Sequence, residues 1–585
     1  MIDSDEIRQR FLDFFEKRGH KIVPSSSLLP TDPSVLFTTA GMQQFKEYFL
    51  GKESPYGKRV ISCQKCFRTS DIETVGDISH LTFVEMLGNF SFGDPEGPRS
   101  FSEKGGAYGA GYFKKETIES AYEFIVKELG LKIDYVSVFA GDPLTDSGQV
   151  IPEDRESEKI WLNLGISQSK IKKMGREDNF WGPTGLEGPC GPTSEIYLKG
   201  FEVWNLVFNE YYQDQNGKLT PLKQKGVDTG MGLERLMAVV QEKESVFETD
   251  LFFPIIKEIE KNANKPYTLD LKSYRIIADH IRSAVFLISE GIFPSNVERG
   301  YILRRVLRRA IRYGKLLNLP KNFLIPLAQK VIEIYKEIYL EVKTRENDIL
   351  VAIQNEEEKF EKTLKRGLTQ FEKISKIGNI SGEDCFHLFD TFGFPFELTQ
   401  ELAKEKGLSL DTEGFKKAFE QHRKISRAGA EKKFGGVGKE ATYQSVKLHT
   451  ATHLLHQALR DVLGSHVKQM GSDITVQRLR FDFSHSRKMT PEEIKKVEDL
   501  VNQKIKEDLE VKKEEMNYEE ALKSGSLAFF KEKYPEKVSI YSVGNFSKEI
   551  CAGPHTNRTS ELGKFKIIKE ESSGAGVRRI RAILE

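Results

Sequence analysis

The chain has 585 residues, enough for roughly three or four domains with sizeable hydrophobic cores. Its 88 Lys and Arg residues are balanced by 87 Asp and Glu residues, which excludes a protein drawn to nucleic acid by its overall charge, so any such contact must come from a local patch. Five cysteines make no disulfide framework. The sequence has neither a secretory signal nor an apolar run long enough to span a membrane, so we expect a cytoplasmic protein.

Changes in composition predict three domains and a linker. Residues 1–243 mix helix signals with β-rich runs and predict a mixed α/β domain. Residues 244–425 keep apolar residues at helical spacing and predict an all-helical domain. The Gly- and Lys-rich residues 426–440 predict a linker, and residues 441–585 a third domain of mixed α and β structure. The β-rich runs of the first domain are SVLFTTAG, RVISCQKCF and EVWNLVFNEYY.

Two stretches of the first domain suit a phosphate ligand. Arg68 lies in a predicted hairpin over 66–94, where its planar guanidinium could bond two oxygens; the alternative is a surface ion pair. Gly230 and Gly232 precede a strongly helical run in GVDTGMGLERLMAVVQ. Glycines let a ligand approach the backbone closely, and a helix N-terminus favours anions, although a tight turn would need the same residues.

The second domain contains a strongly basic helix, RGYILRRVLRRAIRYGK. Six cations fall within an arc of about 140° on this helix, opposite its apolar side. They are Arg304, Arg305, Arg308, Arg309, Arg312 and Lys315. The pattern predicts a face that binds the phosphate backbone of RNA, and the alternative is an ordinary solvated surface.

The third domain carries two pairs of metal-ligand residues at helical spacing. In HTATHLLHQALR, His449, His453 and His456 fall on one face, which we expect to look into a cavity or into water. About a hundred residues later, CAGPH adds Cys551 and His555. Four such ligands can close a tetrahedral zinc site, so we predict Zn²⁺ at His449, His453, Cys551 and His555.

Several of these stretches together resemble a known family. LLPTDPSVLFTTAGMQQF, the hairpin with Arg68, and VDTGMGLERL resemble motifs 1, 2 and 3 of class II aminoacyl-tRNA synthetases. NFWGPTGLEGPCGPTSEIY and VWNLVFNEYY are similar to the alanyl-tRNA synthetase family in particular. The resemblance implies an α+β multidomain fold. Its parts would be a catalytic domain on an antiparallel β-sheet, an all-helical tRNA-recognition domain and an α+β editing domain of the threonyl and alanyl second additional type.

The resemblance implies activation of L-alanine with ATP and Mg²⁺, followed by transfer of alanine to the 3′ end of its tRNA. Arg68 would hold the α-phosphate and the alanine carboxylate, Arg235 would meet ATP, and Asp228 would bind the alanine ammonium group. These three are the predicted catalytic residues. The further ATP- and alanine-binding residues would be His80, Trp181, Val203, Trp204, Asn205, Gly230 and Gly232.

The resemblance also implies two tRNA-directed functions. Asn296 and Asp390 would read the wobble pair of the acceptor stem. The two metal-ligand pairs, with Gln469, would form a site that hydrolyses seryl- or glycyl-tRNA wrongly made by the enzyme, because an alanine pocket discriminates poorly against such close analogues. CAGPHTNRTSELGKFKI is also similar to the threonyl editing domain, which uses these positions without necessarily holding zinc.

The sequence departs from the longer members of the family. A β-barrel before HxxxH and a carboxy-terminal domain for dimerisation and tRNA-elbow contact are absent, so we expect a monomer. Three other functions remain open: a non-catalytic synthetase-like RNA-binding protein, a free-standing deacylase, and an aminoacylating enzyme with a vestigial editing domain.

Overall fold

A computed structural model of the protein divides the chain into two compact units, Met1–Lys365 and Arg366–Glu585. The predicted linker over 426–440 lies outside the described residues, and the three-domain boundaries stay a prediction. The structure describes residues 2–32, 34–93, 111–143, 149–376, 378–422, 442–485, 487–524, 526–527, 537–551, 553–574 and 576–585.

A largely antiparallel sheet organises the first unit. Among the described residues its order is β1-β2-β3-β9-β8-β7-β4-β5, with β6 paired to β7. Only the β1–β2 and β4–β5 pairs within this sheet are parallel. The strands are β1 Lys21–Ile22, β2 Arg59–Phe67, β3 Phe83–Phe92, β4 Tyr135–Phe139, β5 Ile171–Met174, β6 Phe180–Trp181, β7 Gly188–Leu198, β8 Phe201–Gln213 and β9 Leu219–Gly232.

Two of the three predicted β-rich runs are strands. RVISCQKCF is β2, which pairs with β3 as the predicted hairpin, and EVWNLVFNEYY lies within β8. The prediction for SVLFTTAG, residues 34–41, is wrong, because its described residues form bends and the first residue of a 3₁₀ helix, Gly41–Phe45. The run makes isolated backbone bonds through Thr38 and buries Phe37, so its apolar residues serve packing rather than strand pairing.

Helices surround the sheet and then dominate the chain. The described part of 244–425 contains no strand ladder, which confirms the helical prediction as far as residue 422. The helices up to that point are α1 Ser4–Glu16, α2 Lys46–Phe49, α3 Lys114–Tyr122, α4 Arg155–Asn163, α5 Arg176–Asn179, α6 Leu233–Val240, α7 Phe253–Glu260, α8 Leu271–Ser289, α9 Glu298–Leu316, α10 Leu324–Tyr335, α11 Leu340–Thr344, α12 Glu346–Ser375, α13 Gly382–Phe392, α14 Phe396–Glu405 and α15 over 412–422.

The carboxy-terminal part of the second unit is mixed α and β, as predicted. Its strands form two antiparallel sheets, β10-β11-β16-β15 and β12-β13-β14. Apolar residues of α16, including Leu455 and Leu459, pack with Phe481 and Phe483 of β11. The elements are α16 Tyr443–Leu463, β10 Gln469–Ile474, β11 Leu479–Ser484, α17 Pro491–Lys506, β12 Val511–Asn517, α18 Tyr518–Lys523, β13 Lys537–Val543, β14 Ser547–Ile550, β15 Phe565–Gly574 and β16 Val577–Leu584.

No helix in the described ranges is both long enough and apolar enough to cross a bilayer.

Candidate functional site

The first unit contains a cavity of about 220 Å³ on the face of the sheet formed by β3, β7, β8 and β9. The amino-terminal end of α6 and the residue that follows β2 complete its wall. Eight of the ten residues predicted to bind ATP and alanine line this cavity. They are Arg68, Trp181, Val203, Asn205, Asp228, Gly230, Gly232 and Arg235.

Trp204 and His80 do not line the cavity. Alternate residues of a strand face opposite sides of a sheet, so Val203 and Asn205 face the cavity while Trp204 points away from it. The Trp204 ring is fully buried and packs 5.8 Å from the ring of Phe11. His80 lies in the loop before β3, where it bonds to Asp77.

Asp228 is an unpaired carboxylate in the cavity wall. It lies on β9 opposite Phe90 of β3 and Val207 of β8, and it is only 5 % exposed. Its side chain makes no hydrogen bond or ion pair with any other residue that the structure describes. Burial raises the pKa of Asp228 to about 8, because no neighbouring cation offsets the lost hydration. A cationic ligand group would supply that missing partner.

Two arginines share the cavity wall with Asp228. Two hydrogen bonds to backbone oxygens fix the position of Arg68. Its backbone N–H donates to Thr82 O (2.8 Å) and its Nε to Thr39 O (3.2 Å). Its two Nη groups make no hydrogen bond to the described residues, which leaves them able to bind an anionic oxygen. Arg235, on the first turn of α6, donates from Nη1 to the backbone oxygen of Glu202 (3.0 Å) and to its carboxylate (3.1 Å).

Glu195 of β7 is a cavity residue that the sequence analysis missed. Its carboxylate accepts hydrogen bonds from Ser137 Oγ (3.1 Å), Tyr197 Oη (2.7 Å) and Asn205 Nδ2 (3.1 Å). Burial and the nearby Glu202 carboxylate raise the pKa of Glu195 to about 7. Glu195 lies inside the quoted stretch NFWGPTGLEGPCGPTSEIY, but only its pairing with β8 shows which way the side chain points.

The second unit brings together the four predicted metal ligands. One ligand atom from each of His449, His453, Cys551 and His555 lies within 4.8 Å of all the others. The two helix residues are one turn apart on α16, while Cys551 directly follows β14. Gly553 lets this segment approach α16, because a Cβ atom there would lie 2.0 Å from a ring carbon of His449.

Each histidine of the cluster turns its Nδ1 atom outward, toward an oxygen. Pro554 O accepts from His449 (3.2 Å) and Thr450 Oγ1 from His555 (3.3 Å), whereas Glu549 Oε2 lies 3.7 Å from His453 Nδ1, beyond hydrogen-bond distance. The Nε2 atom of His449 lies 3.4 Å from Cys551 Sγ, and that of His555 is buried with no described partner. This arrangement directs Nε2 atoms toward the cysteine, as a metal site requires.

Hydrogen bonding in the cluster favours a thiolate. Burial opposes ionisation of Cys551, but the hydrogen bond from His449 and the neighbouring imidazoles of His453 and His555 lower the pKa of its thiol to about 2. The thiolate is the form of cysteine that binds metals.

The three histidines of α16 do not face water, one of the two expected surroundings. All three are buried. His456 lies outside the four-ligand cluster and instead bonds to Glu549 through Nδ1 (3.0 Å).

Comparison with known proteins gives the chain a family. The family model described as tRNA synthetases class II (A) matches residues 6–461, and that for the threonyl and alanyl tRNA synthetase second additional domain matches 538–581. The alanine–tRNA ligase of Borreliella afzelii is 47 % identical, over 99 % of both chains. That of Treponema pallidum is 45 % identical over 100 % of this chain and 98 % of the relative. That of Thermotoga maritima is 41 % identical over 99 % of this chain and 80 % of the relative.

The chain belongs to the alanine–tRNA ligase family of class II tRNA synthetases. This membership and the antiparallel sheet confirm the predicted family and fold class. The match over 538–581 includes Cys551 and His555, whereas His449 and His453 lie in the longer match.

The basic helix is α9, and most of the cations of its predicted RNA-binding face are buried; the binding of RNA stays a prediction. Arg304, Arg308, Arg309 and Arg312 are each at most 6 % exposed. Arg308 is paired with Glu356 of α12, with Nε 2.6 Å from Oε1, and Arg309 donates to Ile72 O (2.8 Å). The acid paired with Arg308 lies almost fifty residues later in the chain, on α12, so the helical wheel of α9 alone does not show it.

The remaining predicted tRNA residues lie at or near a surface. Lys315 is exposed, and Arg305 is paired with Glu73. Asn296 precedes α9 and accepts a hydrogen bond from Arg304. In the second unit, Asp390 of α13 is about half exposed, with His422 3.9 Å away.

Gln469, the predicted editing residue, begins β10 and donates from Nε2 to Ser472 Oγ (3.0 Å). It is not one of the four clustered ligands. The roles of these individual residues stay predictions.

Proposed function

We propose that this chain is an alanine–tRNA ligase that activates L-alanine with ATP, transfers it to tRNA and hydrolyses misacylated tRNA in its second unit. The observation that carries the first activity is the unpaired Asp228 carboxylate, which shares a cavity with two arginines. An amino acid offers the matching charges, an ammonium group and a carboxylate. The family membership supports alanine as that amino acid.

Adenylate formation suits this cavity because it needs charge stabilisation rather than a covalent nucleophile. The alanine carboxylate attacks the α-phosphate of ATP, the bond from that phosphorus to the oxygen bridging to the β-phosphate breaks, and pyrophosphate leaves. Negative charge grows on the phosphate oxygens as this happens. The free Nη groups of Arg68 stabilise that charge, while Asp228 holds the ammonium group so that the carboxylate stays in line. Mg²⁺ enters with the phosphates of ATP.

ATP–pyrophosphate exchange across the standard amino acids tests the first activity. We expect exchange to be strongest with alanine and weaker with serine and glycine, which differ from it by a hydroxyl or a methyl group. A non-catalytic RNA-binding protein would show no exchange with any amino acid, and that result would reject the proposal.

The affinity for alanine should depend on pH through Asp228. Below about pH 8, Asp228 is protonated while the site is empty. The ammonium group of alanine pairs with the ionised carboxylate, so Asp228 must release a proton when alanine binds. The KM for alanine should therefore fall about tenfold per unit as pH rises from 6 toward 8, and then level off. Asp228→Asn should remove this slope. A wild-type KM that is flat over this range contradicts the assignment.

Recognition of tRNA should be separable from activation of alanine. We expect Asn296→Ala and Asp390→Ala to lower tRNA charging by about 10- to 100-fold, the effect of losing one base-edge contact of roughly 1–3 kcal/mol. Alanine-dependent exchange should stay unchanged, because neither residue lines the cavity. Lys315→Ala serves as the comparison variant, because it removes an exposed cation at the other end of α9. It should alter mainly the salt dependence of tRNA binding. Loss of exchange in Asn296→Ala would contradict this separation.

The donor set of the second unit fits zinc. The cluster offers one thiolate and three imidazoles, and the Nε2 atom of His555 is buried without a partner, a costly state that a metal ion would relieve. Zinc, when bound, supplies Lewis acidity at an open position or, with four protein ligands, a closed structural site. The residues also allow a second chemistry, in which the imidazoles position or deprotonate a water molecule. The monomeric state and the cytoplasmic location stay predictions.

A further inference from the structure

The third histidine of HTATHLLHQALR has no place in the metal-ligand cluster, yet it is as deeply buried as the ligands. His456 lies one turn after His453 on α16, and both rings face Glu549 of β14. Glu549 is 3 % exposed, and Ser547 Oγ also donates to its Oε1 (3.1 Å). Its two carboxylate oxygens are divided between the histidines.

Each carboxylate oxygen of Glu549 faces a different histidine ring. Oε1 of Glu549 lies 3.0 Å from His456 Nδ1, a normal hydrogen-bond distance, while Oε2 lies 3.7 Å from His453 Nδ1. His453 Nδ1 is buried and has no hydrogen bond within the described residues. A small movement of either side chain would let it donate a hydrogen bond to Glu549 Oε2. His453 also supplies one of the four ligand atoms that lie within 4.8 Å of one another.

We propose that Glu549 is a positioning residue for the metal-ligand cluster, fixing the tautomer and ring orientation of His453, and that His456 holds Glu549 in place. When a carboxylate accepts a hydrogen bond from Nδ1–H, the proton of the neutral His453 ring stays on Nδ1. The lone pair of the ring is then on Nε2, which faces the cysteine. His456 occupies the other carboxylate oxygen, so Glu549 cannot turn away from His453. This inference rests on the proposed metal site.

A simpler role for Glu549 is an ion pair with His456 that only fills the core. The two roles predict different effects on the tautomer of His453 and on the metal affinity. A core-filling pair would leave the tautomer of the His453 ring and the metal affinity unchanged when Glu549 becomes the isosteric glutamine. A positioning carboxylate would change both.

The test measures Zn²⁺ affinity of the full-length chain by competition with a chromophoric chelator. We expect Glu549→Gln to weaken Zn²⁺ binding about 10- to 100-fold, the usual effect of losing a carboxylate behind a ligating histidine. His456→Asn should weaken it less, and the double variant should match Glu549→Gln, because His456 acts through Glu549. Glu514→Gln, an exposed change on β12 of the same sheet, should bind as wild type does.

Ring-nitrogen NMR of His453 provides a second measurement, the tautomer of the ring. A purely structural role of Glu549 would leave this tautomer unchanged. Wild type should show a single tautomer with the proton on Nδ1, and Glu549→Gln a mixture. Unchanged zinc affinity and unchanged ring signals in Glu549→Gln would overturn the proposal. If wild type binds no zinc, the metal part of the proposed function fails, and the ring signals of the metal-free chain still decide the role of Glu549. Should Glu549→Gln unfold on thermal melting, His456→Asn gives the same reading through the same carboxylate.

Discussion

Replacing Asp228 by alanine is expected to lower kcat/KM for alanine in ATP–pyrophosphate exchange by roughly 30- to 4000-fold. Truncating one partner of a buried charge pair costs about 2–5 kcal/mol, and about 1.4 kcal/mol corresponds to a factor of ten. The ammonium group would then lose the one carboxylate described as unpaired in this cavity, because Glu195 and Glu202 already accept hydrogen bonds from other side chains.

Two further variants make the Asp228 result specific. Asp228→Asn keeps the shape of the side chain and removes only its charge, so it should lose nearly as much activity as the alanine variant. Asp134→Ala, an exposed change elsewhere in the same unit, should leave exchange unchanged. Full activity in Asp228→Asn would show that the carboxylate does not bind the ammonium group.

Replacing Cys551 by alanine should abolish editing while sparing activation. We expect deacylation of seryl-tRNA to fall by about 10²–10⁴-fold, the range that general acid–base groups contribute, and the purified chain to lose stoichiometric zinc. Alanine-dependent exchange should be unaffected, since Cys551 lies in the other unit. Metal analysis beside a deacylation assay gives both results from one preparation.

The outcomes for Cys551 separate the two editing chemistries. Zinc that is present in wild type and lost in Cys551→Ala supports the metal site. Full deacylation by metal-free wild type supports the imidazoles acting on water directly. Wild type that leaves seryl-tRNA intact would mean that the second unit is not an editing site.

Local patterns predicted the elements that carry the candidate sites. The β2–β3 hairpin with Arg68, the passage from β9 into α6 and the two ligand pairs of the second unit all follow from spacing and residue type. The helix start after β9 and each ligand pair taken by itself are complete within a few neighbouring residues, so no distant contact is needed to predict them.

The failures arise where a distant element decides. Trp204 was grouped with its neighbours, although strand alternation sends it to the opposite face of the sheet, against Phe11. The cations of α9 were predicted to form a face that binds RNA phosphates, but Arg308 is buried and paired with Glu356 of α12. Glu195 became visible only once β7 and β8 were paired. None of these contacts can be read from one stretch of sequence.

Gly553 gives the cysteine-containing half of the cluster a more informative signature than ligand spacing alone. Because the ring of His449 occupies the volume where a Cβ atom would lie, only glycine fits between Cys551 and His555 at that position without displacing a ligand. A pattern search for chains with such a cluster should therefore require C-x-G-x-H rather than any cysteine and histidine four residues apart. Sequences that keep the two ligands but carry a larger residue at the middle position would be poor candidates for this geometry, however well their ligands align.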